Sequence, residues 1–212
     1  MGGKVLTMAQ RKGGAGKTTL VAQLAVAFAA RGSRVALVDI DPQGSLSRWF
    51  RAREEAGLDR GITHAAVTGW RTQATVEKLA AAHDLVLIDS APHAEIEAKI
   101  AVRAADLVLV PVQPSPMDLW ATEPTLALAQ SEKRPALIVI NRMQTRMKLA
   151  ETLSARIAAL GVTVASATIG DRTAFASSMM EGRGVLESAP RSKAADEIAA
   201  LAGEVMRLLT QF

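Results

Sequence analysis

Short apolar runs alternate with longer Ala-, Leu- and Val-rich stretches along the chain, and the runs tend to close on a polar or acidic residue. Those at 5–9, 35–38, 84–89, 107–112 and 136–140 read as buried strands. A last strand is predicted at 162–169. Residues 20–30 are apolar all round up to the stop at Gly32, which predicts a largely buried helix. Helical spacing recurs at 45–56, 76–82, 149–160 and 172–180, and a helical pattern also precedes each strand at 107–112 and 136–140. Residues 192–212 form a long final helix with Ile198, Leu201, Ala202, Val205, Leu208, Leu209 and Phe212 on one stripe. This alternation predicts an α/β fold, a doubly wound and mostly parallel sheet with helices on both faces. The segment from 57 to 75 carries the least pattern, and Trp49 and Trp70 read as packing residues.

The joins at strand ends carry the candidate chemistry. Gln10-Arg11-Lys12-Gly13-Gly14-Ala15-Gly16-Lys17-Thr18-Thr19 links the first strand to the first helix. Consecutive glycines let the backbone curl with its N–H groups inward, and a helix N-terminus adds positive potential, so phosphate is expected there. Lys17 is placed to reach the outer phosphates, and Thr18 offers a hydroxyl to Mg²⁺. The general pattern G-x-x-x-x-G-K-[ST] fails at Arg11, whereas K-G-G-x-G-K-[ST], with the additional Lys12, fits. Asp39 and Asp41 leave the second strand two residues apart and point the same way if the extended conformation persists. Asp89 closes a strand in the manner of a Walker B acid, held to orient Mg²⁺ or its water. In Asn141-Arg142-Met143-Gln144, Gln144 stands where a guanine-reading aspartate would be, so adenine is expected. The proline cluster at 110–116 reads as a rigid loop that stops the sheet from extending, with an interaction surface as the sharper alternative.

Composition narrows the partners. At 212 residues and 49% hydrophobic, the span 1–212 is expected to be one domain. No apolar run approaches the ~20 residues that cross a bilayer, and the chain enters its first strand without a signal peptide, so a soluble, cytoplasmic protein is expected. The last helix interleaves Asp196, Glu197 and Glu204 with Lys193 and Arg207, which disfavours a membrane partner. Cysteine is absent, excluding disulfides, thiolate chemistry and Fe–S clusters. The spacing of His64, His83 and His93 suits no common metal-ligand pattern. A formal charge of +4 permits an anionic partner.

In order and spacing, the segments 12–19, 39–45 and 87–92 resemble the deviant Walker A ATPases of the ParA/MinD superfamily. Within it the chain looks most like the small ParA-type partition ATPases, including the ParF branch, and the likeness extends to 182–185 and 189–195. The missing cysteines set aside the nitrogenase iron protein, arsenite pump and Fe–S scaffold relatives, and the missing tyrosines set aside the bacterial tyrosine kinases. With the first strand entered at Val5, the N-terminal helix-turn-helix domain of the larger plasmid ParA proteins is not expected.

The resemblance implies a slow, Mg²⁺-dependent ATPase in which two subunits sandwich two ATP molecules and Lys12 reaches the nucleotide of the partner. Lys12, Lys17, Asp41 and Asp89 form the implied catalytic set, with Asp41 orienting water and Asp39 a structural carboxylate. Nucleotide binding falls to Lys12, Gly13, Gly14, Ala15, Gly16, Lys17, Thr18 and Thr19, with Asn141 and Arg142 flanking adenine and Gly170 and Asp171 completing its pocket. Thr18, Asp41 and Asp89 are the implied metal residues, the two acids through water. It also implies a homodimer that binds DNA without sequence preference, through Arg172, Arg183, Arg191 and Lys193, with Arg156 and Arg207 behind them. A ParB-like or centromere-binding adaptor would stimulate hydrolysis on the nucleoid, moving a plasmid or chromosome. The alternatives are positioning of a protein assembly, such as a chemoreceptor cluster, and a MinD-like spatial regulator. On the ParF likeness, the proline cluster supports higher assembly on ATP.

Overall fold

The computed structural model describes residues 2–92, 95–144 and 161–211. Its strands are β1 (Lys4–Met8), β2 (Val35–Asp39), β3 (Ile62–Ala66), β4 (Leu85–Asp89), β5 (Leu107–Val112), β6 (Ala136–Ile140) and β7 (Thr163–Val164). Its helices are α1 (Lys17–Ala29), α2 (Ser45–Glu55), α3 (Arg71–Ala82), α4 (Glu95–Ala104), α5 (Pro116–Ser131), α6 (Thr173–Met180), α7 (Val185–Ser188) and α8 (Lys193–Leu209). The strands form one all-parallel sheet in the order β3-β2-β4-β1-β5-β6-β7. The chain winds first toward the β3 edge, then crosses β1 and winds toward β7. That reversal beside β1 opens a crevice at the carboxyl ends of the strands, as the doubly wound expectation requires.

Alternation along each strand divides the core. Leu6, Leu37, Leu87 and Leu109 face α1, α2 and α8, while Ala36, Val38, Val86 and Ile88 meet Val76 of α3 and Ala101 of α4. Val108, Val110, Ile138 and Ile140 pack with Leu119 and Ala129 of α5. Both faces are apolar, which is why the central strands read as continuous hydrophobic runs. From Leu20 to Phe28 every residue of α1 is buried, the polar Gln23 included. Ile198, Leu201, Ala202, Val205 and Leu209 form the buried stripe of α8; Phe212, the predicted helix at 149–160, Arg156 and His93 lie outside the described residues.

Three expectations are corrected. The strand foreseen at 162–169 pairs with β6 only over Thr163–Val164. After Ala165 its amides turn away: Ser166 and Ala167 donate to the Glu204 carboxylate of α8 at 2.9 and 3.1 Å, before Ile169 returns to the Ile140 carbonyl. The proline cluster does not stop the sheet. Pro111 lies inside β5 opposite Val139, and two further strands follow, because β1 pairs only with 107–109 and leaves the Pro111 position free of a ladder donor on that side. Trp49 is buried, but Trp70 is 85% exposed at the turn into α3.

Candidate nucleotide-binding site

The loop from Gln10 to Gly16 is held by its carbonyls. Gln113, just past β5, donates to the Gly14 carbonyl at 2.7 Å, and Asn141, just past β6, donates to that of Ala15 at 2.8 Å. Gln10 anchors the root: its buried amide donates to the Pro111 carbonyl at 3.2 Å and to Thr122 at 3.1 Å. The Gly14 and Ala15 carbonyls are thereby taken up within the subunit, and the Lys12 N–H donates to the Gln10 side-chain oxygen at 3.5 Å. Gly16 takes φ 93°, and a Cβ there would lie 2.3 Å from the Asn141 amide nitrogen, so glycine is required on two counts. The anchoring roles of Gln113 and Gln10 are not legible in the sequence; Gln113 sits within the proline cluster, where its place after a strand is the signal.

A cleft of about 530 Å³ opens over the loop, lined by Gly13, Gly14, Gly16, Lys17, Thr18, Thr19, Asp41 and Arg142, among others. Lys17 is buried and donates to the Gln10 carbonyl at 2.9 Å; burial lowers its pKa, against the opposing pull of Asp89 and Asp41. Thr18 donates to Asp89 at 2.6 Å. Asp89 lies beneath the loop, and its pKa is pushed up to about 7 by burial, with Asp39 and Asp41 adding to the effect and Thr18 and Lys17 opposing it. Its other oxygen, Oδ1, is buried without a partner. An orphaned carboxylate oxygen beside a threonine hydroxyl suits a hard divalent cation such as Mg²⁺.

The two acids at the end of β2, Asp39 within it and Asp41 beyond it, do not share a direction. Asp39 is buried and turned onto α2, accepting from the Ser47 amide at 2.9 Å and its hydroxyl at 2.6 Å. Ser47 in turn meets His64 of β3 at 3.1 Å, and burial lowers the His64 pKa. Asp41 alone lines the cleft, its carboxylate capping the Gln43 amide at 2.9 Å in a tight turn that ends at Gly44, φ 63°.

Next to the cleft is a pocket of about 370 Å³ that shares Gly16, Thr19 and Arg142 with it and is walled by Asn141, Gly170, Asp171, Arg172 and Phe175. Met143 pairs with Gly170, and Asp171 donates its amide to the Met143 carbonyl at 3.0 Å, so the segments foreseen to flank a base do meet. Asn141 does more than line this pocket, since its amide clamps the phosphate loop.

Lys12 lines neither cavity; its ammonium turns to Asp118 in the first turn of α5, at 2.5 Å. The four residues foreseen as a basic face differ in their partners and exposure. Arg172 grips Glu197 of α8 and walls the pocket, and Arg183 pairs with Glu181 at 3.6 Å, whereas Arg191 and Lys193 are exposed at the start of α8.

A family model described as the CobQ/CobB/MinD/ParA nucleotide binding domain matches residues 6–185. The chain belongs to this ParA/MinD family. The ParA/MinD proteins are P-loop ATPases, and the all-parallel sheet here is theirs. Among family members, the chain is 32% identical to maintenance of carboxysome distribution protein A of Halothiobacillus neapolitanus, with 95% of each chain covered. It is 30% identical to the chromosome-partitioning ATPase Soj of Thermus thermophilus, covering 95% of this chain and 94% of that one. The septum site-determining protein MinD of Pyrococcus horikoshii, solved with Mg-ADP, superposes with a TM-score of 0.79 at 20% identity, over 97% of this chain and 96% of that one. Among the described residues, no helix is long and apolar enough to cross a membrane.

Proposed function

We propose that this ParA/MinD-type protein is an ATPase that dimerises around ATP, binds DNA without sequence preference in that state, and positions a cargo whose adaptor stimulates hydrolysis. The observation that carries the reading is the group under the phosphate loop: Lys17, Thr18 on Asp89, the unpartnered Asp89 oxygen, and Asp41 facing the same cleft. Lys17 and the loop amides bind the β- and γ-phosphates, Asp41 orients the attacking water, and Asn141, Arg142, Gly170 and Asp171 surround the adenine. Thr18 and Asp89 hold Mg²⁺, which when bound neutralises charge on the phosphate oxygens. Lys12 leaves its own subunit to meet the partner's nucleotide. Arg191 and Lys193, with Arg183 and Arg172, supply the DNA face, the first two being exposed.

For the cargo, a protein assembly is supported by the likeness to a carboxysome-distribution protein over nearly the full chain. The partition reading keeps support from the Soj likeness. Binding to random-sequence DNA should require ATP and Mg²⁺. If a dimer uses about six phosphate contacts, log K should fall against log salt with a slope of roughly −5. Binding that ignores nucleotide, or a flat salt response, overturns the DNA step. Fluorescently tagged cargo in cells lacking the protein decides between the two: clumped protein assemblies support the first, and lost plasmid or chromosome copies the second.

A further inference from the structure

We propose that Asp118 is a positioning residue that holds Lys12 within its own subunit, so that ATP-driven dimerisation begins by breaking this pair. The proposal rests on the reading above that Lys12 acts across a dimer interface. The pair is asymmetric: the Lys12 side chain is 38% exposed and that of Asp118 only 1%. Asp118 lies in the first turn of α5, where the N-cap Ser115 donates its hydroxyl to the same carboxylate oxygen at 2.5 Å and accepts the Asp118 amide at 3.2 Å. The other oxygen, Oδ1, is buried and unpartnered. Lys12 is the cation that pairs with this carboxylate among the described residues.

The surroundings keep the two together. Thr122 donates to the Asp118 carbonyl at 2.7 Å and accepts from Gln10 at 3.1 Å, so the root of the phosphate loop and the first turn of α5 form one hydrogen-bonded unit. Arg11 pairs with Glu95 of α4, so both basic residues ahead of the glycines are engaged within the subunit. Withdrawing Lys12 strands a buried carboxylate with a single hydroxyl donor, which is a costly state. The lysine therefore moves only when a stronger anion is offered, such as the phosphates of a neighbouring subunit. Lys12 also borders a shallow groove with Met117 and Ala121, and Met117 and Trp120 stand exposed on α5. The hold thus sits at the edge of an apolar surface, where a second copy would press against it.

The competent fraction sets the apparent affinity, so loosening the hold should lower the nucleotide needed for dimerisation. In sedimentation velocity with a non-hydrolysable ATP analogue and Mg²⁺, Asp118→Asn should dimerise at roughly one-tenth of the wild-type half-saturating concentration. Asp118→Glu should return toward wild type, and Lys12→Ala with Asp118→Asn should stay monomeric like Lys12→Ala alone. An Asp118→Asn protein that folds, by its melting curve, but needs as much nucleotide as wild type or more overturns the proposal. A second measurement needs no variant. Reductive methylation of the resting wild-type protein, followed by peptide mass spectrometry, should modify Lys12 several-fold more slowly than exposed Lys193. Equal rates overturn the hold. A wild type that never dimerises with nucleotide, while Lys12 stays protected, instead overturns the dimer reading and leaves the pair intact.

Discussion

Replacing Asp89 by Asn should make the nucleotide-free protein relatively more stable as pH rises. The Asp89 pKa moves from an ordinary 3.8 to about 7, chiefly through burial. The folded state therefore holds a proton that the unfolded chain releases. Stability is fully present below about pH 4 and is lost as pH rises through 7. Between pH 5 and 8 the linkage integral amounts to about 2.6 kcal/mol, taken at ~1.36 kcal/mol for each tenfold change. Asparagine does not titrate, and its carbonyl can still accept from Thr18, which donates to Asp89 at 2.6 Å. Its amide replaces the unpartnered Oδ1 with an unpartnered donor, a penalty of about 1–3 kcal/mol that does not vary with pH. Urea unfolding of both proteins at pH 5, 6.5 and 8 should thus show the difference, variant minus wild type, rising by about 2–3 kcal/mol across the range. Mg²⁺ with ATP should flatten the trend by favouring the carboxylate. A difference that stays constant with pH refutes the reasoning, because it means Asp89 is already charged at pH 5.

Three further predictions concern separate parts of the molecule. Gly16→Ala, whose new Cβ would meet the Asn141 amide at 2.3 Å with φ at 93°, should weaken binding of a fluorescent ATP analogue at least ~10-fold and, through strain of about 1–3 kcal/mol, lower the melting temperature by roughly 2–12 °C. Asp41→Ala should bind ATP and accumulate as a dimer while phosphate release falls by about 10² or more; normal hydrolysis would move the water to another group. Glu187→Ala removes the bidentate partner of buried Arg53, at 2.7 and 2.8 Å, and should cost about 3 kcal/mol, seen as a drop of roughly 6–12 °C in thermal melting.

Much of the architecture was legible because the interior strands are apolar on both faces, and because a phosphate loop is a local motif whose glycines and lysine act within a few residues of one another. β3 escaped notice because it is the sheet edge, where Thr63 and His64 meet less of the core and the apolar signal fades. The different fates of Asp39 and Asp41 depend on Ser47, a residue of the following helix, and no two-residue periodicity could reveal that contact. The same holds for Arg172, whose charge is taken up by Glu197, and for Lys12, whose partner stands 106 residues further along the chain. Interactions set by tertiary approach leave no trace in local spacing.

Gln23 lies inside the otherwise apolar α1 and is 1% exposed. Its amide donates to Ser178 of α6 at 3.0 Å, and its carbonyl oxygen accepts the backbone N–H of Val185 at 2.7 Å. The helix whose first turn carries Lys17 and Thr18 is therefore pinned at its middle to the segment just ahead of the exposed Arg191 and Lys193. Isotope exchange at the Val185 amide requires α1 and α7 to part. Ligand bound at the start of α1 favours the closed arrangement by RT ln(1 + [L]/Kd). A single backbone proton, distant in the chain from every phosphate contact, thus becomes a reporter of nucleotide occupancy.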